Sequence, residues 1–172
     1  MGSVNRVALA EQAYRDALAA ARADSSPHTW RRLVRAGQNL RDAQPKRAGA
    51  LRGGAGPSVL LVEDDAATRE ALRDILSEQR IRVWTATDGC AALELLRSGR
   101  ITPSVIVMDL FLPRMSGFEL REALRGDAAL ARIPVVAMSG DRNAQIDAAR
   151  RFEKPFDATD LVEALLELAQ SA

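Results

Sequence analysis

Ser104-Val105-Ile106-Val107-Met108-Asp109 is the stretch that decides the fold. A nearly uninterrupted apolar run of this length reads as a strand buried on both faces, and such strands belong to parallel sheets covered by helices on both sides. The run ends on a carboxylate. An ionised group at the end of a buried strand needs a partner, so a purely structural Asp109 would be expensive in free energy.

The flanking sequence repeats the same texture in both directions. Val59-Leu60-Leu61-Val62 predicts a first strand, and Asp65 caps a following helix whose apolar positions are Ala67, Ala71, Leu72, Ile75 and Leu76. Ile81 to Ala86 predicts a second strand, followed by a helix from about Asp88 to Arg97. Beyond Asp109, Ser116-Gly117 starts a helix to about Arg125, and Ile133-Pro134-Val135-Val136-Ala137-Met138 makes a fourth strand. A very short fifth strand around Arg151-Phe152 leads to Lys154-Pro155. Asp157, with Asp160 three residues on, then opens a last helix carrying Leu161, Leu165 and Leu168. Short apolar strands alternating with amphipathic helices specify an α/β domain.

In an open parallel sheet the carboxyl ends of the strands converge on one crevice, where ligands bind. The first strand ends in Glu63-Asp64-Asp65, the third in Asp109, the fourth in Ser139 and the fifth in Lys154. Carboxylates crowded this closely raise one another's pKa unless a cation is present. A hard divalent ion resolves the conflict, and Mg²⁺ takes carboxylates, a carbonyl and waters. A lysine and a hydroxyl across the crevice provide donors for anionic oxygens. Together these residues read as a phosphoryl-transfer site with a carboxylate nucleophile. Asp65 itself reads as a helix cap rather than a ligand, and Ser139 taken alone reads as a turn residue.

Leu60-Leu61-Val62-Glu63-Asp64-Asp65, Val107-Met108-Asp109-Leu110-Phe111-Leu112-Pro113-Arg114-Met115-Ser116-Gly117, Met138-Ser139-Gly140 and Glu153-Lys154-Pro155-Phe156 closely resemble the motifs of response-regulator receiver domains. The resemblance covers about two thirds of the chain, with four motifs in the right order on the right strand ends. It implies a doubly wound, flavodoxin-like, five-stranded parallel sheet of order 2-1-3-4-5. Asp109 would be the phosphorylated residue; Glu63, Asp64 and Asp109 would hold Mg²⁺, with the Phe111 backbone carbonyl as a further ligand. Ser139 would bond a phosphoryl oxygen and Lys154 would pair with it. The donor would be a histidine kinase or phosphotransfer protein, and the Lys154-Pro155 peptide would be cis.

Two departures from the family pattern stand out. Only 14 residues separate Ser139 from Lys154. A helix rising about 1.5 Å per residue needs about ten residues plus turns to run back along the sheet, so the helix before the fifth strand should shrink to a turn or two or give way to a loop. Arg151 stands where the family usually has an aromatic switch residue, and period-two counting from Lys154 turns Phe152 inward and Arg151 outward. The face formed by these elements is one through which the family commonly dimerises or signals.

Before Pro57 the texture differs. Val7, Ala10, Tyr14, Leu18 and Ala21 recur at helical spacing, as do Trp30, Leu33, Gly37 and Leu40, with Asp24-Ser25-Ser26-Pro27 between them. This predicts a helical hairpin over residues 1–44 with Tyr14 and Trp30 in its core, a Gly-, Pro- and Arg-rich linker over 45–57, and a receiver domain over 58–172. Two helices this short cannot bury both stripes alone, so the hairpin should pack on the receiver or form a homodimer with a second copy. One expectation is that it covers, or replaces, the surface the shortened segment leaves missing. His28 reads as a solvated residue at a helix start, since a phosphotransfer histidine uses a four-helix bundle.

Composition bounds the remaining classes. The 172 residues, 47% hydrophobic and 27% charged, fit one domain with a single large core plus an accessory element. No apolar run approaches bilayer length and no signal peptide opens the chain, which points away from the membrane and to the cytoplasm. Cys90 is the sole cysteine and reads as a small packed side chain. Residues 1–57 carry net charge +6 and residues 58–172 carry −5, but the basic groups are spread around helices, which disfavours nucleic-acid binding. A phosphatase with an aspartyl intermediate would need an acid two residues after the nucleophile; Phe111 stands there, so the chain reads as a phosphoacceptor, not an enzyme. The leading reading is a phosphorylation-controlled module with no appended output domain that signals to an unknown downstream protein target. The alternative is a pseudo-receiver scaffold regulated by partner binding.

Overall fold

The computed structural model describes residues 2–24, 27–43 and 56–170. Most of the 45–57 linker therefore lies outside the described residues, as does the Trp30 side chain. The chain begins with α1 (Gly2–Ala23) and α2 (Pro27–Ala43), the expected hairpin. There follow β1 (Ser58–Val62), α3 (Ala66–Glu78), β2 (Arg82–Ala86), α4 (Gly89–Arg97), β3 (Val105–Asp109), α5 (Gly117–Arg125), β4 (Val135–Ser139), β5 (Arg150–Glu153) and α6 (Ala158–Gln170). The five strands form one parallel sheet in the order β2-β1-β3-β4-β5.

Local chemistry accounts for the element boundaries. The Asp65 carboxylate caps α3 by accepting from the Thr68 amide at 2.7 Å, and Asp88 caps α4 through the Ala91 amide at 3.0 Å. Ser116 and Glu119 form a reciprocal capping box at the start of α5. The apolar strands are buried throughout: every residue of β3 and β4 is inside. Ser139 to Lys154 contains no helix; residues 140–149 form a loop, with Ala144 buried among the α4 and α5 side chains.

Three expectations need correction. The sheet splits the interior into two cores, one under α3 and α6 and one under α4 and α5, because a parallel sheet covered on both faces cannot enclose one. Cys90 is exposed, since the buried positions of α4 are Gly89, Ala92, Leu93 and Leu96 and Cys90 falls off that stripe. The hairpin does not cover the shortened segment. Its α2 packs on α3 and α6, and Ala17, Ala21, Leu33 and Ala36 join the core that contains Leu72, Ile75, Leu161 and Leu165. The reason is the breadth of α6: Leu161, Val162, Leu165, Leu166, Leu168 and Ala169 all belong to that cluster, more apolar surface than one sheet face covers. His28 is exposed at the start of α2, as expected.

Leu33 is 1% exposed within this shared core. Leu33→Ala should lower the stability of the whole chain by about 3 kcal/mol. The check is urea unfolding followed by Trp84 in a Trp30→Phe background: the β2 tryptophan should report the loss, and an unmoved sheet transition would mean the hairpin contributes nothing to the receiver core.

Candidate functional site

Register brings the strand ends together. Val62 pairs with Met108, so Glu63 and Asp109 leave the sheet side by side; Asp109 pairs with Met138, and Ser139 with Glu153, one residue before Lys154. Lys154 Nζ donates to Glu63 Oε2 at 2.7 Å and to Asp109 Oδ2 at 2.5 Å, linking residues 91 and 45 positions apart. The Phe111 amide donates to the other oxygen, Asp109 Oδ1, at 2.9 Å. The Lys154 amide bonds the Ser139 carbonyl at 2.7 Å, and the Lys154-Pro155 peptide is cis.

Glu63 is 2% exposed and Asp109 8%, whereas Asp64 faces solvent at the mouth. One carboxylate oxygen from each of these three lies within 4.8 Å of the others. Three hard oxygen donors converging from one strand end and one loop fit a divalent cation of the Mg²⁺ type, which keeps several waters and takes few protein ligands. The Phe111 backbone lies beside them, tied to Asp109 through its amide.

The electrostatics follow from this crowding. Burial raises the Glu63 pKa; Lys154 offsets part of that, and the charges on Asp109 and Asp64 push it further up. Burial alone would lower Lys154, but attraction to Glu63 and Asp109 outweighs it and leaves the ammonium above its ordinary value. Lys154 is thus a fixed cation at neutral pH.

Ser139 is buried at the end of β4, and its Oγ is engaged with the turn that follows: it accepts from the Asp141 amide at 2.9 Å and bonds the Asp141 carbonyl at 3.2 Å. Arg151 is exposed and Phe152 half-buried against Phe156, with ring centroids 5.1 Å apart. Arg151, Ala137, Ser139 and Leu110 line a cavity of about 240 Å³ where the missing helix would begin.

Several positioning contacts were invisible in the sequence pattern. Gly117 lets the start of α5 press on the backbone of Asp109 and Leu110, where a Cβ would collide with the Asp109 carbonyl oxygen. Arg114, in the left-handed region at φ 64°, pairs with the fully buried Asp88 and docks the loop after β3 on α4. Arg69 reaches back from α3 to the carbonyls of Glu63 and Asp64. Gly117 and Arg114 lie in the motif around Asp109, but both arginines act across a loop, and no spacing rule picks out their partners.

A parallel sheet of this order with a lysine-bridged acid cluster at its carboxyl edge defines a receiver domain of two-component signalling. The chain belongs to the response regulator receiver domain family, whose profile matches residues 59–166. It is 40% identical over 92 residues to the rice two-component response regulator ORR11, covering 54% of this chain and 62% of the relative. It is 42% identical over 91 residues to the transcriptional regulatory protein AfsQ1 of Streptomyces coelicolor, covering 53% of this chain and 38% of the relative. The match thus spans less than two thirds of either relative. Among solved structures, the receiver domain of the Pseudomonas aeruginosa sensor histidine kinase PA1611, which has a magnesium ion coordinated in its active-site cleft, superposes with a TM-score of 0.60 and 25% identity, covering 67% of this chain and 99% of that one. The receiver domain of the Francisella response regulator 1452 gives 0.61 at 24% identity, covering 67% and 98%. Receiver domains as a family are phosphoacceptors, not enzymes in the usual sense, and they interact with histidine kinases or phosphotransfer proteins. Among the described residues no helix is long and apolar enough to cross a membrane.

Removing the lysine leaves two buried carboxylates without their cation. Lys154→Met should destabilise the protein by about 3 kcal/mol near neutral pH. Glu63 has a folded pKa above its unfolded value, so protonating it favours the folded state, and that contribution is lost as pH rises through the folded value. Lys154 holds the Glu63 pKa down, so its loss raises that pKa further in the variant, and the gap between wild type and variant should narrow on acidification from about pH 7 to about pH 5. Denaturant midpoints across that range check the sign; a gap that widens would contradict it.

Proposed function

We propose that this chain accepts a phosphoryl group on Asp109 from a histidine kinase or phosphotransfer protein, in a Mg²⁺-dependent reaction in the cytoplasm, and signals through protein contacts. The observation that carries the reading is the pair of hydrogen bonds that Lys154 donates to Glu63 and Asp109, which ties together the ends of β1, β3 and β5. In the division of the chain that goes with it, residues 1–44 are the hairpin, 45–57 the linker and 58–172 the receiver.

Asp109 is the nucleophile. Its Oδ1 is held by the Phe111 amide and its Oδ2 by Lys154, so the carboxylate is oriented before the donor arrives. A carboxylate oxygen forms the bond to phosphorus as the donor's phosphorus–nitrogen or phosphorus–oxygen bond breaks, the leaving group departing with the donor. Glu63, Asp64, Asp109 and the Phe111 carbonyl would hold Mg²⁺, which when bound supplies positive charge against the phosphoryl oxygens. Lys154 then exchanges a carboxylate oxygen for a phosphoryl oxygen. Ser139 turns from Asp141 to bond the same group, freeing the start of the 140–149 loop. That release couples the modification to the surface where the family's helix is missing.

A second reading is a pseudo-receiver scaffold that responds to partner binding alone. It draws on Arg151, which cannot bury as an aromatic does, and on the existing commitment of Ser139 to the Asp141 backbone. Incubation with acetyl phosphate and Mg²⁺ followed by intact-mass analysis separates the two. The first reading expects a gain of one phosphoryl mass, absent without Mg²⁺ and absent in Asp109→Asn; no gain in the wild type supports the scaffold.

A further inference from the structure

The β1 ladder ends at Val62, so the carbonyls of Glu63 and Asp64 lie beyond the last paired residue. Arg69, one turn into α3, satisfies both: its Nη1 donates to the Glu63 carbonyl at 2.8 Å and to the Asp64 carbonyl at 3.0 Å. The next residue, Asp65, is tied to the same turn of helix, accepting from the Thr68 amide and hydroxyl at 2.7 Å each. Two consecutive carbonyls held by one guanidinium nitrogen fix two consecutive peptide planes. Those planes set the directions in which the Glu63 and Asp64 side chains leave the backbone: Glu63 inward to Lys154, Asp64 outward to the mouth.

We propose that Arg69 is a positioning residue for Mg²⁺: it touches neither metal nor phosphoryl group, but presets the acid pair so that little ordering remains when the cation arrives. The inference rests on the Mg²⁺ reading above. Groups that orient metal ligands in this way change affinity by about tenfold or more when removed. The sign of the effect is informative. A guanidinium near a divalent cation repels it, so a purely electrostatic Arg69 would weaken Mg²⁺ binding and its removal would tighten it. A positioning Arg69 does the reverse.

The experiment is Mg²⁺ titration of the full chain by calorimetry, comparing wild type with R69A, R69K and L72A. R69A should raise the Mg²⁺ Kd about tenfold, while R69K, which keeps a cationic donor, stays within about threefold of wild type. L72A loosens the same helix from its core without touching the carbonyls, since Leu72 is fully buried in the core under α3 and α6 and makes neither bond to them. It should lower the unfolding temperature and leave the Kd unchanged. An R69A Kd equal to or below wild type overturns the proposal, as does an L72A Kd raised as far as that of R69A. A wild type that binds no Mg²⁺ fails the underlying reading itself, whereas a wild type that binds and an R69A variant that binds equally fails this inference alone.

Discussion

Lys154 is the cation on which the arrangement at the sheet edge depends. The strands deliver Glu63 and Asp109 into surroundings that leave them almost no water, where burying two carboxylates side by side calls for a cationic partner. One ammonium serves both. It arrives at the end of the shortest strand, β5, which is held in the sheet by β4 and through the Lys154 amide's bond to the Ser139 carbonyl. Two carboxylates already outnumber the one ammonium, and Asp64 adds a third to the cluster. A site with one fixed cation and a surplus of hard oxygen donors is prepared for a further positive charge and then for an anionic group that shares it.

The same site leans on its supports at three levels. Parallel register places the strand ends on one rim. The α3 helix then fixes the acid loop through Arg69 and the Asp65 cap, while Gly117 and Arg114 fix the loop that carries Phe111. The hairpin packs on α3 and α6 and shares their core, so the helix that holds the acid pair is itself braced from outside the receiver. Tyr14 and Leu18 of α1 also line a cavity with Pro155, Phe156 and Asp157, the residues that follow Lys154. An appendage that first reads as separate from the α/β domain thus touches elements on both sides of the crevice that holds the acid cluster.

Much of this was legible from residue order alone, and for definite reasons. Buried parallel strands are continuous apolar runs, so β1, β3 and β4 announce themselves, and the crevice rule then points to the residues at their carboxyl ends, Glu63 just past β1, Asp109 and Ser139. The missing helix was a matter of counting, since ten residues cannot form both a helix and its turns. What escaped was set by three-dimensional packing. Cys90 was misjudged because exposure in α4 depends on which stripe meets the sheet. The seat of the hairpin escaped because its apolar stripes fit any apolar partner, and only the extra breadth of α6 selects one. Arg69 and Arg114 act on backbone or across loops, where periodicity carries no information.

The central claim is that Glu63, Asp64, Asp109 and Lys154 work as one cation-balanced pocket for a group attached to Asp109. A crystal structure of the full chain with beryllofluoride and Mg²⁺ tests it most directly. The account predicts the beryllium on an Asp109 carboxylate oxygen, Mg²⁺ between Asp109, the acid pair and the Phe111 carbonyl, and Lys154 Nζ moved onto a fluorine. An adduct at another residue, or an Asp109 adduct with Lys154 still on Glu63 and no metal beside it, would contradict it.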